Sequence, residues 1–80
     1  MLTIYGSMLC QDCVACRKDL DAAGVDYEYK DFAEDLGNLK EFLSLRENPL
    51  FDSVKEQGSI GIPCIVKSDG TITLSWEGFI

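Results

Sequence analysis

The sequence predicts a small α/β domain, and three observations carry that prediction. Two strand-like segments flank an amphipathic helical segment within about 30 residues, the spacing of a βαβ unit, parallel and right-handed by the usual rule. A second helical segment is followed by two more strand-like segments joined by the turn Ser68-Asp69-Gly70, which reads as a hairpin. The 80 residues are 46% hydrophobic with only two prolines, too apolar for disorder and too few for two cores, so one domain over 1–80 is expected. A chain this short buries only about 60% of the surface its unfolded form exposes, so the core is thin.

Met1 to Tyr5 reads as a short buried strand, and Gly6-Ser7 breaks it. From Cys10 to Ala23 the period becomes helical: Cys13, Cys16, Leu20 and Ala23 share one face, charged residues fill the rest, and Gly24 stands where a C′ glycine belongs. Val25 to Phe32 alternates Val25, Tyr27 and Tyr29 against Asp26, Glu28 and Lys30, the period-two pattern of a strand. Asn38 followed by Glu41 signals the start of a second helix carrying Leu39, Phe42, Leu43 and Leu45. Asn48-Pro49 interrupts it, and a short helix over Leu50 to Gln57 ends at Gly58. Ile62 to Lys67 and Thr71 to Trp76 are the last two strands, with Ile72, Leu74 and Trp76 alternating against Thr71, Thr73 and Ser75. Glu77 to Ile80 allows at most one further turn.

Charge and composition exclude several functions. Seven basic residues face 14 acidic ones, a net charge of −7, and Arg17-Lys18 is the only adjacent basic pair, so no nucleic acid partner is expected. There is no histidine, which removes Ser-His and Cys-His nucleophile pairs and imidazole-ligated zinc. No apolar run approaches a membrane span of about 18 residues, so no membrane partner is expected. Met1 to Cys10 has no positive n-region and no small-residue cleavage site, and Leu9 before Cys10 argues against a lipoprotein signal. A cytoplasmic address follows, where structural disulfides are scarce.

The four cysteines, Cys10, Cys13, Cys16 and Cys64, therefore need a chemical explanation. Cys10-Gln11-Asp12-Cys13 puts two thiols three residues apart at a strand-to-helix junction. One helical turn brings their Cβ atoms to about 5–6 Å, near disulfide range, and the free N–H groups of the helix start favour negative charge on the first sulfur, although Asp12 opposes it. A dithiol of this spacing beside a βαβ pattern reads as a thioredoxin-like redox site. Pro63, after Gly61-Ile62 and directly before a strand, cannot donate to a sheet ladder and marks a strand boundary or a turn.

These features together resemble a glutaredoxin: Ile4-Tyr5-Gly6-Ser7 before Cys-x-x-Cys, then Val14-Ala15-Cys16-Arg17-Lys18, the strand Val25-Asp26-Tyr27-Glu28-Tyr29, and Ile62-Pro63. The chain is most similar to the small bacterial glutaredoxin-related proteins, over essentially its whole length. The resemblance implies a minimal thioredoxin-like fold: a four-stranded mixed sheet in order 2-1-3-4, strand 4 antiparallel to strand 3, helices on both faces and a truncated C-terminal helix. It implies Cys10 as attacking thiolate, Cys13 as resolving thiol, Pro63 as a cis-proline and the backbone of Ile62 as the substrate-pairing edge. The implied activity is thiol–disulfide exchange on protein or small-molecule disulfides, with no bound cofactor and with glutathione or a flavin-dependent reductase as electron donor. Three departures bear on the donor. Gln11 replaces the proline common inside the motif, no basic residue precedes it in Ser7-Met8-Leu9, and the Gly-Gly-x-Asp element that grips glutathione has no match in Leu74-Ser75-Trp76-Glu77-Gly78. Glutathione is therefore expected to be a poor reductant.

Cys16 extends the spacing to Cys-x-x-Cys-x-x-Cys, and a metal or iron–sulfur module using Cys10, Cys13 and Cys64 is the rival reading. Six residues of helix carry Cys16 about 9 Å up the axis and about 120° around from Cys10, so Cys16 is expected in the core. Cys64 follows Pro63 and is a candidate accessory thiol, yet strand alternation points it away from Pro63, beside Ile62 and Val66, where burial is the expected state. A non-catalytic binding domain that keeps the fold is a further rival. The short C-terminus is expected to leave apolar surface uncovered, giving a monomer or a weak homodimer.

Overall fold

The computed structural model describes residues 1–80. Strand β1 (Leu2–Gly6) leads into helix α1 (Gln11–Ala22), strand β2 (Tyr27–Asp31) and helix α2 (Leu36–Leu45). A 3-10 turn at Pro49–Phe51 runs into the short helix α3 (Asp52–Glu56), followed by strands β3 (Cys64–Val66) and β4 (Ile72–Thr73) and a last 3-10 turn at Glu77–Phe79. The sheet order is β2-β1-β3-β4. β1 runs parallel to β2 and antiparallel to β3, and β3 is antiparallel to β4. This is the four-stranded mixed sheet of the expected thioredoxin-like arrangement. No helix is long and apolar enough to cross a membrane.

Strand alternation divides the core into two layers. Ile4 of β1 and Ile65 of β3, opposite each other in register, meet Cys16 and Leu20 of α1 on one face, and all four are fully buried. Tyr5 and its register partner Cys64 point the other way and pack with Phe42 of α2 and Phe51. The rings of Phe42 and Phe51 meet edge-on, with centroids 6.0 Å apart. Helices therefore cover both faces. Glu41 joins α2 to the sheet, accepting from the Tyr5 hydroxyl at 3.0 Å and from Lys30 Nζ at 2.9 Å.

The helix ends follow from local chemistry. Gly24, at φ +71°, ends α1 in a Schellman motif: Val25 N–H donates to the Leu20 carbonyl at 3.0 Å and Gly24 N–H to that of Asp21 at 3.1 Å. Gly58 ends α3 in the same way through Ser59 to Val54 and Gly58 to Lys55. Ala23, expected on the buried face of α1, is instead the exposed C-cap.

Several boundaries depart from the sequence reading, among them β2, which covers only Tyr27–Asp31 of the expected Val25 to Phe32. Helix α2 begins before Asn38, because the Asp35 carboxylate caps it by accepting from Gly37 N–H at 2.7 Å. Asn38 turns its amide back to donate to the Asp31 carbonyl. β3 covers only Cys64–Val66 of the expected Ile62 to Lys67. β4 stops at Thr73 rather than Trp76, since the Thr73 hydroxyl accepts from Ser75 N–H at 3.2 Å and turns the chain. That turn sends Trp76 to the opposite face from Ile72 and Leu74: these two pack with Phe42 and Phe51, while Trp76 and Phe79 pack against the Ile4–Leu20 layer. Trp76 and Phe79 of the last turn thus cover part of that layer, while Ile80 stays exposed.

Candidate functional site

Cys10 is the N-cap of α1, with extended backbone (φ −94°, ψ 121°). Ser7 prepares it: Cys10 N–H donates to the Ser7 carbonyl at 3.0 Å, and Leu9 N–H donates to the Ser7 hydroxyl at 3.1 Å. The Cys10 sulfur in turn accepts from Cys13 N–H at 3.4 Å, so a thiol occupies the place usually held by a capping hydroxyl or carboxylate. Cys10 is half-buried and Cys13 has no solvent exposure. Both are free thiols.

Cys10 opens into a cleft of about 590 Å³. Leu9 and Asp12 flank it on one side, and the segment Gly58–Ile62 forms the other. Asp12 is the only charged residue lining the cleft. The Ile62-Pro63 peptide is cis, and Ile62 faces the cleft while Pro63 is buried. The segment is fastened from behind by Arg46, the C-cap of α2, whose guanidinium donates to the Ser59 and Ile60 carbonyls, both at 2.9 Å. Gly61 makes the approach to the core: at φ +95°, a Cβ there would lie 2.8 Å from the Phe51 ring. Leu9, 94% exposed, and Ile60, 58% exposed, leave the rim of the cleft apolar.

Cys13 projects inward. Its sulfur sits against the backbone of Gly6, where a Cβ would be 2.7 Å from Sγ and 2.9 Å from the Tyr29 hydroxyl. Burial pushes the Cys13 thiol up to about 12, opposed by the Ser7 backbone and the Tyr29 hydroxyl and reinforced by Cys10. Cys16, one turn further along α1, is equally buried and packs in the Ile4–Leu20 layer, its thiol raised to about 11 by burial and then by Asp19.

Cys64 is fully buried on the far face of the sheet, among Tyr5, Phe42 and Phe51, and burial raises its thiol to about 11. The structure therefore brings Cys10, Cys13 and Ile62 to one end of the sheet and keeps Cys64, the candidate accessory thiol, away from the cleft. No group of three or more His, Cys, Asp or Glu side chains is placed to hold a metal ion.

Two participants were not readable from the sequence motifs. Arg46 looks like an ordinary helix-surface cation, and its carbonyl partners lie 13 and 14 residues further along. Tyr29 reads as a sheet aromatic; only the adjacent Gly6 hints that something must fit beside the thiol.

The chain is 36% identical over 72 residues to an uncharacterized protein of Haemophilus influenzae, a match covering 89% of this chain and 84% of that protein. The chain belongs to the family of that protein. No family model matches the sequence, and no solved structure matches it.

Proposed function

We propose that this family member is a glutaredoxin-like thiol–disulfide oxidoreductase working through Cys10 and Cys13. The observation that carries this reading is the division between the two sulfurs. One caps a helix at the edge of an open cleft, and the other is sealed one turn behind it with its thiol raised to about 12. Negative charge on Cys10 meets the free N–H groups of the first turn. A disulfide entering the cleft meets Cys10 first and the backbone of Ile62 beside it.

In the reaction the Cys10 thiolate attacks one sulfur of the substrate disulfide, forming a mixed disulfide and releasing the first substrate thiolate, which takes a proton from solvent. Cys13 then attacks the Cys10 sulfur; the Cys10–Cys13 bond forms and the second substrate thiol leaves. Two electrons pass from the dithiol to the substrate. A thiol or flavin-dependent reductase must return them. Glutathione, an anion, finds no cation lining the cleft and meets Asp12 there, which favours a reductase as donor. The apolar rim of Leu9 and Ile60 suits a polypeptide disulfide. The reading places the protein in the cytoplasm, as a monomer or weak homodimer with no bound cofactor and no nucleic acid or membrane partner.

The test is trapping. Cys10→Ser abolishes disulfide reduction, whereas Cys13→Ser accumulates a mixed disulfide through Cys10, visible by mass spectrometry. Equal trapping by both variants would overturn the assignment. Parallel turnover assays with glutathione plus its reductase, and with a thioredoxin-reductase-type donor, identify the source of electrons.

A further inference from the structure

The Tyr29 hydroxyl is buried without a hydrogen-bond partner. Burying an unpaired hydroxyl is costly, and a phenylalanine would fill the same space without that cost. The group it faces is the Cys13 thiol: oxygen and sulfur share the notch left by the missing side chain of Gly6, 2.9 and 2.7 Å from where its Cβ would be. Tyr29 comes from β2, directly beside Ile4 in the parallel register, so its ring lies along the α1 face of the sheet and reaches toward Gly6. The Arg17 guanidinium covers that ring, 4.4 Å from its centroid. A cation there draws electron density from the ring and strengthens the phenol as a donor.

We propose that the Tyr29 hydroxyl donates a hydrogen bond to the Cys13 sulfur as it becomes the attacking thiolate of the resolving step, a role that rests on the exchange reading above. The buried sulfur must carry negative charge for that one step, with the Ser7 backbone as its other stabilising neighbour. The groups around the pair are Cys10, Arg17, Asp31 and the Ser7 backbone. Burial and the neighbouring Cys13 hold the phenol well above its ordinary range, so Tyr29 stays protonated and acts only as donor. In the step itself the Cys10–Cys13 bond forms, the Cys10–substrate bond breaks with its electron pair on the substrate sulfur, and the proton given up by Cys13 reaches that sulfur through solvent.

The experiment uses the reduced chain and dithiobis(nitrobenzoic acid), a chromogenic disulfide, in stopped flow. Attack by Cys10 releases one nitrothiobenzoate and resolution by Cys13 releases a second. In Tyr29→Phe the first phase is expected to be unchanged, while the second slows about tenfold, the scale of one hydrogen bond to a charged sulfur. The pH midpoint of that second phase also moves upward. The urea midpoint of the variant stays equal or rises, since only an unpaired hydroxyl is lost. A second phase with wild-type rate and midpoint would overturn the role of Tyr29 alone. Equal slowing of both phases with an unmoved midpoint would do the same, leaving Tyr29 a packing residue. A wild-type chain that releases one equivalent and stops would overturn the exchange reading and this role together.

Discussion

The indole N–H of Trp76 donates to the Asp19 carboxylate at 2.9 Å, fastening the last turn of the chain to the first helix. The same ring packs on the layer formed by Ile4, Cys16, Leu20 and Ile65, so one residue both covers the layer and is held over it.

Trp76→Ala is therefore expected to destabilise the fold by about 2–4 kcal/mol, somewhat below a fully buried aromatic truncation. It also uncovers apolar surface, so the variant should self-associate more strongly than the parent. Urea titration and sedimentation at several concentrations measure the two effects, and unchanged sedimentation would show that the layer stays covered without the ring.

Gly61→Ala should cost about 2–4 kcal/mol. The substitution forces a Cβ into the left-handed region at φ +95° and to 2.8 Å from the Phe51 ring, combining a backbone penalty with overpacking. An unfolding midpoint equal to the parent's would mean that Phe51 gives way freely.

Arg46→Ala removes both donors that hold the Ser59 and Ile60 carbonyls. We expect faster amide exchange over residues 58–62 and weaker substrate binding, seen as a raised KM with kcat nearly unchanged. Loss of kcat alone would place the effect elsewhere.

The four thiols should separate by reactivity. In the reduced native chain Cys10 alkylates quickly, while Cys13, Cys16 and Cys64, all without solvent exposure, resist until the fold is disrupted. Mild oxidation should then yield one disulfide, Cys10–Cys13. Peptide mapping after native labelling checks this, and modification of Cys64 in the folded chain is the contrary result.

Alkali provides a further check. The buried thiols of Cys16 and Cys64 titrate near 11 when folded against 9.0 as their ordinary value. Because the folded values are raised, stability is complete below pH 9 and declines as pH rises toward 11, where the unfolded chain releases protons the folded chain retains. Cys64→Ala should flatten that decline by about 1.4 kcal/mol per pH unit at most. A slope identical to the parent's would mean that Cys64 is not sealed.

Much of the architecture was legible because local rules and tertiary needs coincide. The alternation in Val25 to Phe32, the C′ position of Gly24 and the helical face of Cys13, Cys16 and Leu20 each obey a short-range period that packing then uses. Where several Asx residues competed for one role the rule was ambiguous. Asp35 and Asn38 can both cap a helix, and the choice fell to Asp35 because the Asn38 amide is drawn to the Asp31 carbonyl. Trp76 continued an alternating pattern that the Thr73–Ser75 turn cut short. Of the site, the dithiol and Ile62-Pro63 could be read from motif and order. The grip of Arg46 and the meeting of Tyr29 with Cys13 could not, since each joins residues more than ten positions apart and leaves no periodic trace.

The position of β1 in the middle of the sheet governs the order in which the protein can assemble. Its pairing with β2 spans about a third of the chain, whereas Tyr5 finds Cys64 only across about three quarters of it. Closing the second, longer loop is the entropically slower event. A folding intermediate holding only β1, α1 and β2 would therefore show a row of unpaired amides and carbonyls along β1, bordered by Ile4 and Tyr5, and that row is the template on which two half-folded chains would pair in error.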